Sequence, residues 1–256
     1  MEFSQVKAVV TGGASGLGEA TVRRIAESGG KAAIFDLNAE RAKKLIEELG
    51  EESVIYKETD VTDAMQVEKN ISETLEQFGG IDLVVNCAGI GTPGKVLSKG
   101  TPIALDQFEK VIKVNLIGSF NVIRIAAAAM QKNEPNEDGE RGVIISTASV
   151  AAYEGQIGQA AYSASKGGVV SMTLPIAREL ARDGIRVMAI APGLMETPMV
   201  EGLPDTAIAS LSAAVPFPAR LGKPAEYAQL VESITANPML NGETIRLDGA
   251  IRMQPK

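Results

Sequence analysis

The chain predicts an α/β fold, with one parallel, doubly wound sheet of about seven strands flanked by helices in a single domain. Three observations carry this. Short β-branched runs alternate with stretches of helical periodicity along the chain. A strand-like run, Val6 to Val10, enters the turn Thr11-Gly12-Gly13-Ala14-Ser15-Gly16-Leu17-Gly18 and then an amphipathic stretch reaching Ser28, the order strand, glycine turn, helix. No Pro/Ser-rich linker or abrupt change of composition divides the 256 residues, so one domain is expected over 1–256, with a first part at about 1–150 and a second at about 140–256.

Taken in order, the expected strands lie near 6–10, 31–36, 53–58, 81–86, 142–147, 185–190 and 243–247. Asn38 and Asp63 are placed to cap the helices that follow them, and Pro224 suits the first turn of a helix running to about Ala236. A helix from about Gln159 to Arg182 contains Pro175, which removes one hydrogen bond and predicts a kink. The polar run from Asn133 to Glu140 reads as a solvated loop without a function.

The chemistry centres on Tyr162-Ser163-Ala164-Ser165-Lys166, with Ser149 thirteen positions upstream of the tyrosine, in a chain with no histidine. Residues four apart share a helix face, so the Lys166 ammonium can sit beside the Tyr162 phenol. A free phenol is only about 0.1% ionised at neutral pH; lowering its pKa by roughly 3 units takes about 4 kcal/mol of preferential phenolate stabilisation, which a neighbouring cation supplies. Such a tyrosine exchanges a proton with a carbonyl or alcohol oxygen near pH 7. At the other end, the glycine turn has the spacing TGxxxGxG, not GxGxxG, and lets backbone N–H groups and a helix N-terminus approach a pyrophosphate. Asp36, eighteen positions beyond Gly18 and at the end of a predicted strand, is placed to bind ribose hydroxyls. Each motif alone also suits a plain structural role: a buried tyrosine with a surface lysine, or a tight βα connection. Their joint spacing favours the functional one.

TGGASGLG, Asn86-Cys87-Ala88-Gly89, Asn115, Ser149, YSASK and Pro192-Gly193, in this order and spacing, resemble the short-chain dehydrogenase/reductases from Val6 to the C-terminus. The resemblance implies a Rossmann-type sheet and hydride transfer with NAD. Tyr162 would be the acid/base and Ser149 would hydrogen-bond the substrate oxygen. Lys166 would support the phenolate and the nicotinamide ribose, and Asn115 would hold a water in the proton path. For the cofactor, the resemblance implies Gly12, Ser15, Gly16, Leu17 and Gly18 at the pyrophosphate, with Asp36 at the ribose. Asp60 and Val61 would lie at adenine, Asn86, Ala88 and Gly89 beside the adenosine ribose, and Pro192, Gly193 and Thr197 at the nicotinamide.

Longer stretches, including Thr147 to Ala152, Gly158 to Tyr162, Pro216 to Pro218 and Ile245 to Met253, resemble the branch of the family that acts on 3-hydroxyacyl-CoA. This implies oxidation of a 3-hydroxyacyl-CoA to a 3-oxoacyl-CoA. An NADPH-linked 3-oxoacyl carrier-protein reductase or a hydroxysteroid dehydrogenase is the enzymatic alternative. A catalytically silent dinucleotide sensor or scaffold is the alternative of another class, although it would need none of Ser149, Tyr162, Lys166 and Asn115. The segment Gly91 to Ile103 is longer than in many relatives, and its Lys95 and Lys99 are expected to meet coenzyme A phosphates. The family's tetramers imply a homotetramer in which Ile123 to Met130 and the helix of Tyr162 and Lys166 pack between subunits, with Ile251 to Met253 at another interface.

Composition narrows the rest. The chain is 45% hydrophobic and 4% aromatic with no tryptophan, so aliphatic packing should dominate its core. A net charge of −7 without a basic block argues against a nucleic-acid surface. Cys87 is the only cysteine, which excludes an internal disulfide and fits a reducing compartment; it stands where many relatives carry asparagine and reads as a small buried thiol. No Cys/His cluster suggests a metal site, and Ser163 to Lys166 matches SxxK without the companion motifs of an acyl-enzyme hydrolase. No run of about 18 apolar residues suggests a membrane span. Met1 to Ser4 leads directly into the first strand, so a bacterial-type cytoplasmic enzyme is expected, with the mitochondrial matrix as alternative if a transit segment was removed.

Overall fold

A computed structural model describes residues 1–198 and 204–255. Its main sheet has seven strands in the order β3-β2-β1-β4-β7-β8-β9, all parallel. These are β1 (Lys7–Thr11), β2 (Lys31–Asp36), β3 (Val54–Glu58), β4 (Leu83–Asn86), β7 (Gly142–Thr147), β8 (Ile185–Pro192) and β9 (Thr244–Leu247). Each expected strand is present, with bounds shifted by up to two residues at either end. The helices are α1 (Gly16–Glu27), α2 (Ala39–Leu49), α3 (Ala64–Phe78), α4 (Leu105–Ile112), α5 (Ser119–Met130), α6 (Ala160–Leu180), α7 (Asp205–Ala213) and α8 (Pro224–Ala236).

The sheet is apolar on both faces, which is why its strands read as short continuous runs. Val10, Ile34, Leu83 and Ile145 pack with Val22 and Ile25 of α1 and Val231 and Ile234 of α8. The alternate residues Val9, Phe35, Val84 and Ile144 pack with Ile71 of α3 and Val122, Ala126 and Met130 of α5. Strand order reverses between β1 and β4, whose ends pair Thr11 with Asn86 and open a crevice at the carboxyl edge of the sheet.

The caps act as expected. Asn38 accepts the N–H of Arg41 at 3.0 Å, Asp63 accepts those of Met65 and Gln66, and Pro224 opens α8. Gly79 ends α3 in the left-handed conformation, φ 68°.

Several expectations need correction. Helix α6 runs through Pro175 as one continuous helix instead of being interrupted there; this residue and Ser171, whose carbonyl loses its i+4 donor, are both exposed to solvent. The loop before β7 is not wholly solvated, because Glu140 is buried and its carboxylate lies 2.6 Å from the Arg186 guanidinium. In the stretch Ile123 to Met130, the residues Ile123, Ala126, Ala127, Ala129 and Met130 are buried in the chain's own core; the exposed apolar residues nearby are Ile117 and Phe120. Helices α4 and α5 are joined by a π-helical turn, Lys113–Gly118, into one run. That run, Leu105–Met130, is long and apolar enough by composition to cross a membrane, although half of its most apolar window is buried inside the domain. The segment 91–103 contains a small antiparallel pair, β5 (Leu97–Ser98) and β6 (Thr101–Pro102), which no alternating pattern announced.

Candidate active site

The carboxyl edge of the sheet opens into a cavity of about 950 Å³. Its wall carries Gly12, Ser15, Gly16, Leu17, Gly18, Asp36, Asp60, Val61, Ala88, Gly89, Ser149, Tyr162, Lys166, Pro192, Gly193 and Thr197. Residues far apart in sequence meet here because β1, β2, β4, β7 and β8 all end at this edge.

The glycine turn is shaped by close approaches. A Cβ on Gly12, whose φ is +64°, would lie 2.8 Å from the Ala88 nitrogen, and one on Gly18 would lie 2.2 Å from the Gly12 oxygen. Ser15 precedes α1 without a capping hydrogen bond from its side chain, leaving the first-turn N–H groups available to an anion. The Asp36 carboxylate accepts the N–H of Ala14 at 3.0 Å and that of Asn38 at 2.9 Å, which fixes it at the mouth of β2. Thr197 and Pro198 approach the position a Gly16 Cβ would occupy, folding the segment after β8 over the turn. Close backbone approach, first-turn N–H groups left open to an anion and an acid at the next strand end fit a dinucleotide cofactor.

At the opposite end, Ser149 follows β7 and its hydroxyl accepts the N–H of Ala151 at 3.1 Å. Tyr162 and Lys166 sit one turn apart on α6, with the lysine nitrogen 5.8 Å from the ring centre. Lys166 is buried and donates to the Thr147 carbonyl at 2.6 Å. Burial pushes the Tyr162 phenol up, and the Ser149 hydroxyl offsets part of this. Burial also lowers the Lys166 ammonium to about 8. The expected lowering of the phenol by the lysine is therefore overturned for the protein alone: desolvation dominates, and the ammonium is bound to a carbonyl. A protonated phenol beside a serine hydroxyl suits donation to a carbonyl oxygen.

Asn115 and Asn86 are not on the cavity wall. Asn115 is buried in the π-helical turn, where its amide accepts from Ile90 N at 2.8 Å and donates to Ile90 O at 2.9 Å and Ser165 Oγ at 3.0 Å. Both amide hydrogens are thus committed, and the side chain ties the loop after β4 to α6. Asn86 donates to Ser146 Oγ at 3.3 Å beneath the cleft, and its Oδ1 has no hydrogen-bond partner among the described residues. Cys87 is half-buried on the wall, and desolvation pushes its thiol up.

Lys95 and Lys99 are not on the wall, whereas Lys110 and Lys113 are. Sequence reasoning missed these two, together with Met253 and Gln156 on the wall and Thr11, whose hydroxyl accepts the Ala88 N–H at 3.1 Å. The threonine was within reach as the first residue of the glycine motif; the others carried no pattern.

Comparison with known proteins agrees with this geometry. The family model described as short chain dehydrogenase matches residues 6–207. The chain is 55% identical to the 3-hydroxyacyl-CoA dehydrogenase type-2 of Homo sapiens, covering 97% of this chain and 95% of that protein. It is 51% identical to the protein of the same name from Drosophila melanogaster, covering 96% and 97%. The crystal structure of 3-hydroxyacyl-CoA dehydrogenase type-2 from Mycobacterium avium superposes with a TM-score of 0.92 at 44% identity, covering 97% and 96%. With a family match that spans both the glycine turn and the helix of Tyr162, and relatives aligned nearly end to end, the chain belongs to the short-chain dehydrogenases and is an oxidoreductase.

Proposed function

We propose that the chain interconverts a 3-hydroxyacyl-CoA and a 3-oxoacyl-CoA with NAD. The observation that carries this is the 55% identity over 250 residues to a dehydrogenase of that substrate class. The nicotinamide ring supplies or accepts the hydride when bound. Tyr162 gives its proton to the developing alkoxide in reduction and takes it back in oxidation, while Ser149 hydrogen-bonds the same oxygen. Lys166, held by Thr147, keeps a positive charge beside that oxygen and phenolate. Asn115 positions α6 through Ser165. Asp36 supports NAD over NADP, because a 2′-phosphate would bring about two negative charges against its carboxylate. Lys110 and Lys113 take the role first expected of Lys95 and Lys99, as cations facing an acyl-CoA. Cytoplasmic location and assembly as a homotetramer belong to the same reading, with Ile117 and Phe120 as exposed apolar positions available to a subunit contact.

The test is absorbance at 340 nm with acetoacetyl-CoA and each reduced cofactor. Turnover with NADH, much faster than with NADPH, is expected. Faster turnover with NADPH and an acetoacetyl carrier protein would overturn the assignment in favour of a carrier-protein reductase.

A further inference from the structure

We infer that Tyr227, on α8, is a positioning residue for Lys166, acting through a closed ring of three hydrogen bonds with Thr147 and Cys87. This rests on the role proposed for Lys166. Tyr227 is fully buried, and its hydroxyl lies 2.8 Å from Thr147 Oγ1. The Thr147 hydroxyl is 3.5 Å from Cys87 Sγ, and Cys87 Sγ is 3.7 Å from the Tyr227 hydroxyl. Thr147 donates to Cys87 and Cys87 to Tyr227, and since each group has one hydrogen to give, Tyr227 is left to donate to Thr147. Every donor is used and each bond polarises the next.

The ring ties three elements together directly under the catalytic lysine. Thr147 is the last residue of β7, Cys87 follows the end of β4, and Tyr227 is anchored in the core that packs α8 against the sheet. The Thr147 carbonyl is what the Lys166 ammonium binds, at 2.6 Å. Holding the Thr147 side chain from below fixes the strand end that presents this carbonyl, and so fixes the ammonium. Tyr227 does not line the cavity and contributes no group to it; desolvation holds its phenol far above its ordinary range, protonated. Its contribution is the placing of another residue's charge.

Tyr227→Phe keeps the buried ring and removes only the hydroxyl. Three readouts separate positioning from plain structural support: thermal stability, kcat and KM for acetoacetyl-CoA with NADH, and the NMR titration of ¹³Cε-labelled Lys166 in the cofactor-free protein. For Tyr227→Phe and Thr147→Val, kcat should fall about tenfold, the scale of one lost hydrogen bond, with KM nearly unchanged. The Lys166 titration should move up towards the ordinary lysine range as water reaches the loosened strand end. The double variant should be no worse than either single one, and Thr147→Ser should recover most of what Thr147→Val loses. A folded Tyr227→Phe protein with unchanged kcat and unchanged Lys166 titration, or one that loses only thermal stability, would overturn the inference. If wild type does not turn over acetoacetyl-CoA at all, the substrate assignment fails, while the lysine titration still decides the role of Tyr227.

Discussion

The Asp36 carboxylate accepts the N–H of Ala14 at 3.0 Å, so the acid at the end of β2 and the glycine turn after β1 form one rigid edge of the cleft. A carboxylate held by two backbone donors does not swing away from a cofactor phosphate. At an effective dielectric of about 20 and roughly 4 Å, each unit of repulsion is worth about 4 kcal/mol before screening, ample for a 100-fold preference. Asp36→Ala should weaken NAD use and narrow the gap to NADP in kcat/KM. Wild type preferring NADP(H) would refute the role given to this residue.

Tyr162→Phe removes the transferable proton and keeps the ring. Turnover should drop by about 10²- to 10⁴-fold while NAD affinity, measured by calorimetry, stays nearly intact. Lys166→Ala should damage both. A Tyr162→Phe enzyme within a few-fold of wild type would rule out the acid/base assignment.

The lowered Lys166 pKa makes a statement about stability. Burial takes the ammonium from 10.5 to about 8, so between these values the unfolded chain binds the extra proton and the folded protein does not. The charged lysine costs stability at low pH, and stability attributable to it rises as pH increases from about 8 to about 10.5, by about 3 kcal/mol over the whole window. Urea unfolding of wild type and Lys166→Met across this range should show wild type gaining on the variant as pH rises. A flat difference would contradict the burial argument.

Glu140 is the counterion of Arg186 at the opposite edge of the sheet, where the guanidinium also donates to the carbonyls of Ile234, Thr235 and Leu240. Removing one partner of a buried pair leaves the other uncompensated, so Glu140→Ala should cost about 3–5 kcal/mol in urea unfolding. Glu137→Ala, exposed in the same loop, should stay within about 0.5 kcal/mol of wild type.

Phe120→Lys, or Ile117→Lys, should shift light scattering from a tetramer towards smaller species, since a charge at an exposed apolar position blocks its burial between subunits. A wild-type monomer at micromolar concentration would remove the assembly proposal.

The sequence by itself determined the seven strands, the caps at Asn38, Asp63 and Pro224, and the glycine turn of the cavity wall, because these are local signals: apolar runs, side-chain acceptors beside helix starts, and glycines where backbones must meet. It also linked Ser149, Tyr162 and Lys166, whose spacing survives folding because two of them share one helix. Tertiary structure alone decided what each buried group costs and whom it meets. The phenol rises instead of falling because desolvation depends on every atom packed around it. Glu140 finds Arg186, and Tyr227 finds Thr147 and Cys87, across separations of 46, 80 and 140 positions that no local pattern encodes. Lys95 and Lys99 were legible as cations, but only the chain's path could place them outside the cleft and put Lys110 and Lys113 on its wall. Propensity and spacing act within a few residues, whereas desolvation and long-range hydrogen bonding exist only once distant segments share a volume.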